Sequence, residues 1–142
     1  DWDVDRPIKH ALDSRLSDLV AGYAEEFVRT REAWNARIRG FRDRGEHVVL
    51  WGGGAKAVSF IHLIEDPGSI RSVVDINPGK QGSYLGGGGQ EIVSPSRLLA
   101  DPPDVVIVMN PVYAGEVALQ IREMGLSPRV IDVAGGESGV TR

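Results

Sequence analysis

A short apolar run, Val48 to Trp51, passes straight into Gly52, Gly53 and Gly54, and then into Ala55-Lys56-Ala57-Val58, which reads as the start of a helix. A strand that turns into a helix within three glycines joins two elements of an α/β layer fold and leaves little room for any other architecture. The glycines allow a tight turn and close approach of backbone to another group. The first N–H groups of the helix have no partner within it, so they offer donors and partial positive charge to an anion. Lys56 adds a full positive charge at that point. Twenty-one residues beyond Gly54 a second apolar run, Ile70 to Val74, ends in Asp75, about where a dinucleotide-binding fold sets the acid that holds a ribose. Gly52, Gly54 and Ala57 satisfy a loose G-x-G-x-x-[GA] pattern, which by itself can also serve turn geometry alone. The chain contains only three lysines, Lys9, Lys56 and Lys80. Two of them fall in glycine-bearing loops after strands, which favours a nucleotide-like ligand.

From His47 onward strand and helix signals alternate. Strands are expected at Val48–Trp51, Ile70–Val74, Val105–Met109 and Val130–Val133. Helices are expected at Ala55–Ile64, Pro95–Leu99 and Tyr113–Met124. Alternation of this kind predicts a parallel sheet, and continuous apolar runs such as V-V-I-V-M fit strands covered on both faces. The fold class expected is therefore α/β, a Rossmann-like parallel sheet of about four to five strands with helices on both faces. Gly125 supplies a helix stop, and Pro102-Pro103 prevents a helix from running into the third strand. Gly86 to Gly89 reads as a mobile loop.

The first 45 residues differ. Leu12, Leu16, Leu19, Val20, Tyr23, Phe27, Trp34, Ile38 and Phe41 recur at steps of three and four, predicting a long amphipathic helix from about Asp13 to Arg44 with Gly45 as its stop. Gly22 and Gly40 each cost up to about 1 kcal/mol inside a helix, and Gly22 marks a candidate bend or break. Arg29, Arg31, Arg37, Arg39, Arg42 and Arg44 interleave with Glu25, Glu26, Glu32 and Asp43, which reads as a solvated face. The organisation expected is a helical segment, 1–45, packing on the domain or on a neighbour, followed by the Rossmann-like domain, 46–142.

Composition narrows the function classes. A net charge of −4 gives no general attraction to nucleic acid or to anionic membranes. With no cysteine and with His10, His47 and His62 scattered, no metal-ligand spacing is present. No apolar run approaches the length of a membrane span and no leader pattern is seen, so a cytoplasmic protein is expected. The chain opens on Asp1 rather than methionine, which points to processing or to a piece of something longer.

In open α/β sheets ligands sit outside the carboxyl ends of the strands. The candidate ligand-binding residues there are Gly52, Gly53, Gly54, Lys56, Asp75, Asn77, Lys80 and Asn110. Asp75 ends a buried strand and needs a partner. Asn77 is balanced between ligand contact and a turn role, and Asn110 leans to capping the helix that follows. His62, two turns into its helix, reads as a satisfied helix residue rather than a base.

Several strings extend the argument: W-G-G-G-A-K (Trp51 to Lys56), V-V-D-I-N-P-G-K-Q-G-S-Y (Val73 to Tyr84), Q-E-I-V-S-P (Gln90 to Pro95) and P-D-V-V-I-V-M-N-P-V-Y (Pro103 to Tyr113). In content, order and spacing the chain resembles the C-terminal domain of the S-adenosylmethionine-dependent sugar C-methyltransferases and related bacterial three-domain methyltransferases. The resemblance covers nearly the whole chain. It departs at Gly86 to Gln90, where the sugar enzymes carry a P-G-[ST]-x-I-P loop, and at Met109-Asn110-Pro111, where they carry W-N.

The resemblance implies a three-part enzyme in which this domain helps hold the substrate, a nucleotide-diphosphate sugar or a similar anionic small molecule. The methyltransferase core domain in cis would then hold S-adenosylmethionine, and this chain would bind no cofactor of its own. A homodimer through the first helix is a further partner option. The alternative reading is a free-standing NAD-type dinucleotide-binding domain, an oxidoreductase or redox sensor, with Asp75 on the adenine ribose. Against it, the chain is short for a domain that also carries a substrate site.

Overall fold

A computed structural model describes residues 6–138 of the chain. The chain divides into two compact units, 1–34 and 35–142. The division falls inside the first helix, α1 (Arg6–Asp43), which is continuous through Gly22. Nothing lies within 4 Å of the place a Cβ would take at Gly22. In the first unit Leu16, Leu19, Val20, Tyr23 and Phe27 are exposed.

In the second unit the last turns of α1 are anchored. Ile38 and Phe41 are buried, and the Asn35 amide donates to the Leu63 carbonyl (3.2 Å) while accepting the Glu65 N–H (2.8 Å). Asn35 thereby satisfies backbone groups around the end of the next helix, which would otherwise be orphaned. This anchoring explains why the compact unit begins near Asn35 rather than at the glycine stop.

The sheet contains β1 (Val48–Trp51), β2 (Ile70–Val74), β3 (Ile92–Val93), β4 (Val105–Val108), β5 (Arg129–Asp132) and β6 (Glu137–Ser138), in the order β3-β2-β1-β4-β5-β6. The first five strands in that order are mutually parallel, and β6 pairs antiparallel with β5. The expected α/β class and parallel sheet are therefore present, enlarged by the two-residue strands β3 and β6. Both are too short to announce themselves by periodicity.

Helices α2 (Ala55–Leu63) and α3 (Ala114–Glu123) connect β1 to β2 and β4 to β5. These crossovers step outward in opposite directions from the centre of the sheet, so right-handed connection puts them on opposite faces. Val49, Trp51, Val106 and Val108 pack with Val117, Ala118 and Ile121 of α3 in one buried cluster. The alternate residues Leu50, Val73 and Ile107 turn to the other face, and Ala57, Phe60 and Ile61 of α2 are buried as well. The short helix expected at Pro95–Leu99 is a 3-10 helix, a form suited to a piece this short, which Pro102-Pro103 keep from extending.

The four-glycine run is built into the fold. Tyr84 and Glu91 form an antiparallel bridge, the Leu85 N–H donates to the Gln90 carbonyl (2.7 Å), and Gly87 and Gly89 take positive φ of 91° and 74°. A Cβ at Gly87 would stand 2.6 Å from the His62 ring, and one at Gly88 would stand 2.8 Å from Ile61. Gly87 and Gly88 let the hairpin tip lie against α2, where a side chain at either position would collide. The His62 Nδ1 donates to the Val58 carbonyl (2.8 Å), the bond of a helix residue satisfied locally.

Candidate functional site

Strand order reverses between β1 and β4, and loops leaving the carboxyl ends of these neighbours must part and leave a crevice. A cleft of about 590 Å³ lies there. Its floor is Trp51, Val108 and Met109, and one wall is Gly52, Gly54, Ala55 and Lys56. Gly52 adopts φ 113°, in the left-handed region, and its N–H donates to the Val74 carbonyl (2.7 Å). That conformation turns the chain away from the sheet at once. Gly54 is the N-cap of α2 and supplies no side-chain cap, so the first turn of the helix presents its backbone donors to whatever lies in front of it.

Asp75 closes the second side. One carboxylate oxygen, Oδ2, accepts the Gly53 N–H (2.8 Å), and the other, Oδ1, accepts the Asn77 N–H (2.9 Å). The Lys80 ammonium stands 3.8 Å from Oδ2. The partner that a buried strand-end carboxylate requires is thus supplied mainly from within the chain. Asn77 works as a turn residue, its side-chain oxygen accepting the Gly79 N–H (2.9 Å). The Gln81 amide donates to the Asp75 carbonyl (2.8 Å), so the whole 75–82 loop folds around the carboxylate.

Of the candidate residues, Gly52, Gly54, Lys56, Asp75 and Asn110 line the cleft; Gly53, Asn77 and Lys80 do not. Gly53 is the donor to Asp75, while the Lys80 ammonium stands 3.8 Å from where a Cβ on Gly54 would be. Asn110 caps the 3-10 turn Pro111–Tyr113, accepting the Val112 N–H (3.2 Å).

The third wall was not foreseen residue by residue. Tyr113, Glu116, Val117 and Gln120 face the cleft, at intervals of three, four and seven that place them on one stripe of α3. That spacing is legible in the sequence, and only the sheet order says which stripe meets the crevice. Ile76, exposed beside Asp75, completes the rim. The cleft therefore has an apolar interior, a helix N-terminus with one lysine at one end, and the carboxylates of Asp75 and Glu116 elsewhere on its walls.

The family model for the C-methyltransferase C-terminal domain matches residues 8–127. The chain belongs to this family. As a C-methyltransferase C-terminal domain it joins the glycine turn, the Asp75 loop and the stripe of α3 in one matched span. No match was found among curated proteins.

Solved structures similar to it include RSP, a Rex-family repressor, at 15% identity over 61% of this chain and 44% of that one, with a TM-score of 0.49. RSP in complex with beta-NADH gives 15% identity, the same coverages and a TM-score of 0.47. UDP-D-quinovosamine 4-dehydrogenase from Vibrio fischeri gives 12% identity over 61% of this chain and 76% of that one, with a TM-score of 0.46. The chain spans 44% of the length of the repressor. Among the described residues no helix is long and apolar enough to cross a membrane.

Proposed function

We propose that this domain holds the nucleoside-diphosphate end of the substrate of an S-adenosylmethionine-dependent C-methyltransferase. The observation that carries the reading is the pairing, in one cleft, of an apolar slot with the open N-terminus of α2 and Lys56. A base fits the slot among Ile76, Met109 and Val117, and a diphosphate fits the helix end, where backbone donors, partial positive charge and an ammonium converge. Family membership supports the wider frame of a methyltransferase core domain in cis.

The methyl donor belongs in that core rather than in this cleft. S-adenosylmethionine has no phosphate to meet the donors at the α2 terminus, and its sulfonium would be repelled by Lys56. The alternative, a free-standing dinucleotide domain, would put ribose hydroxyls on Asp75; each oxygen of that carboxylate accepts one backbone N–H, which leaves a further lone pair on each for a ligand.

Titration calorimetry of the chain against thymidine diphosphate, uridine diphosphate, oxidised nicotinamide dinucleotide and S-adenosylhomocysteine tests the reading. Binding of a nucleoside diphosphate, weakened about tenfold or more by Lys56→Ala, is the expected result. Binding of the dinucleotide with little response to Lys56→Ala would replace it with the alternative.

A further inference from the structure

We propose that residues 13–31 of α1 form an antiparallel two-helix interface with a second copy of this chain. Leu16, Tyr23 and Phe27 are 60%, 76% and 56% exposed, and Leu19, Val20 and Val28 are exposed beside them. A run of large apolar side chains this continuous marks a surface built to be covered. At about 100° per residue, Leu16, Val20, Tyr23 and Phe27 fall within roughly 60° of one another, forming a narrow seam rather than a broad core face.

The seam is complementary to itself when one copy is reversed. A two-fold axis between Ala21 and Gly22 sets Leu16 against Phe27 of the second copy and Val20 against its Tyr23. Each aromatic ring then meets an aliphatic side chain, twice over by symmetry. One pair of flanking charges falls close to this register. Asp13 and Arg31 are 18 residues apart, about five full turns, so they share one flank of the seam. In an antiparallel pair like flanks face each other, and the axis sets Asp13 of each copy within one residue, about 1.5 Å along the helix, of Arg31 of the other. The Arg31 guanidinium already lies along the seam, 5.9 Å from the centre of the Phe27 ring.

On the opposite flank the same axis sets Glu26 level with Ser17 of the second copy, so it meets no charge there. Glu26 holds Arg29 of its own helix at 3.0 Å. No like charges face each other in this register. On the same helical count Arg15, Asp18, Glu25 and Arg29 point away from the seam.

Sedimentation velocity of the 142-residue chain from about 1 to about 100 µM tests the proposal, a range that captures micromolar association. A dimer is expected, and Tyr23→Glu, at an exposed position, should return it to monomer while leaving the thermal unfolding of the sheet unchanged. Asp13→Arg and Arg31→Asp should each weaken the dimer about tenfold, and combining them should restore it. A wild-type monomer over the whole range would assign the face to another occupant, such as a neighbouring domain, and overturn the proposal. So would a dimer indifferent to Tyr23→Glu. A double variant no better than its parents would rule out the antiparallel register.

Discussion

The carboxylate of Asp75 accepts the backbone N–H of Gly53 at 2.8 Å, tying the end of β2 to the glycine turn that follows β1. A Cβ on Gly53 would lie 3.0 Å from the same oxygen, so a side chain there would press directly on the bonded carboxylate. The acid that sequence spacing offers to a ligand therefore shapes the loop that would receive it.

Asp75→Asn should destabilise the domain by about 1–3 kcal/mol, because the amide can accept from only one of the two backbone donors and turns its own N–H groups toward the other. Urea unfolding of the variant checks the loss. A neutral outcome would mean that the two backbone bonds contribute little.

Gly88→Ala should cost a similar amount, about 1–3 kcal/mol. Its Cβ would fall 2.0 Å from the Gln90 side-chain oxygen and 2.8 Å from Ile61, and Gln90 cannot swing away freely while its amide donates to the Pro67 carbonyl at 2.7 Å. Gly86→Ala, with nothing within 4 Å of its Cβ, serves as the matched control in thermal unfolding.

Acid should weaken the second unit through Asp66. A hydrogen bond from Ser69 first, and one from Arg42 second, hold its carboxyl below the ordinary 3.8. A depressed carboxylate contributes stability that is fully present above its unfolded value and is lost as pH falls through its folded one. Stability measured from pH 5 downward should therefore fall less steeply in Asp66→Asn than in the parent. Because the side chain is half exposed, the difference should shrink in high salt.

Glu116→Gln should act on ligand affinity in the opposite direction to Lys56→Ala. Removing a carboxylate from the cleft wall lowers repulsion of a diphosphate, and an improvement of about two- to fivefold is expected at low ionic strength. Calorimetry at two salt concentrations would expose the electrostatic origin; an unchanged affinity at both would place the diphosphate away from α3.

How far the residues announced this arrangement depends on the range over which each signal acts. Val48–Trp51 was legible to the residue as a continuous apolar run bounded by turn residues, and Ile70–Val74 as Ile70, Val73 and Val74 set around Arg71-Ser72 between the Pro67-Gly68 turn and the Asp75 loop. The glycine turn was legible because positive φ at Gly52 leaves glycine as the ready choice. The strands Ile92–Val93 and Glu137–Ser138 were not, because a two-residue strand is defined by its neighbour rather than by its own pattern. Lys80 was matched by type to Lys56, yet it lies 3.8 Å from Asp75 and outside the cleft. A loop that folds back on a carboxylate through Asn77 and Gln81 is a tertiary event, invisible to spacing along the chain.

Those two shortest strands occupy the two margins of the sheet. An open sheet margin is a template on which another chain can add, and the hazard grows with the number of unpaired backbone groups offered in a row. Among the described residues each margin strand offers only two residues. One is followed, after Ser94, by the proline of a 3-10 turn, and the other runs antiparallel to its neighbour β5 and carries a glutamate. A parallel sheet with apolar strands at its centre is thereby kept from growing sideways into aggregates, a protection that matters most while the sheet is newly formed.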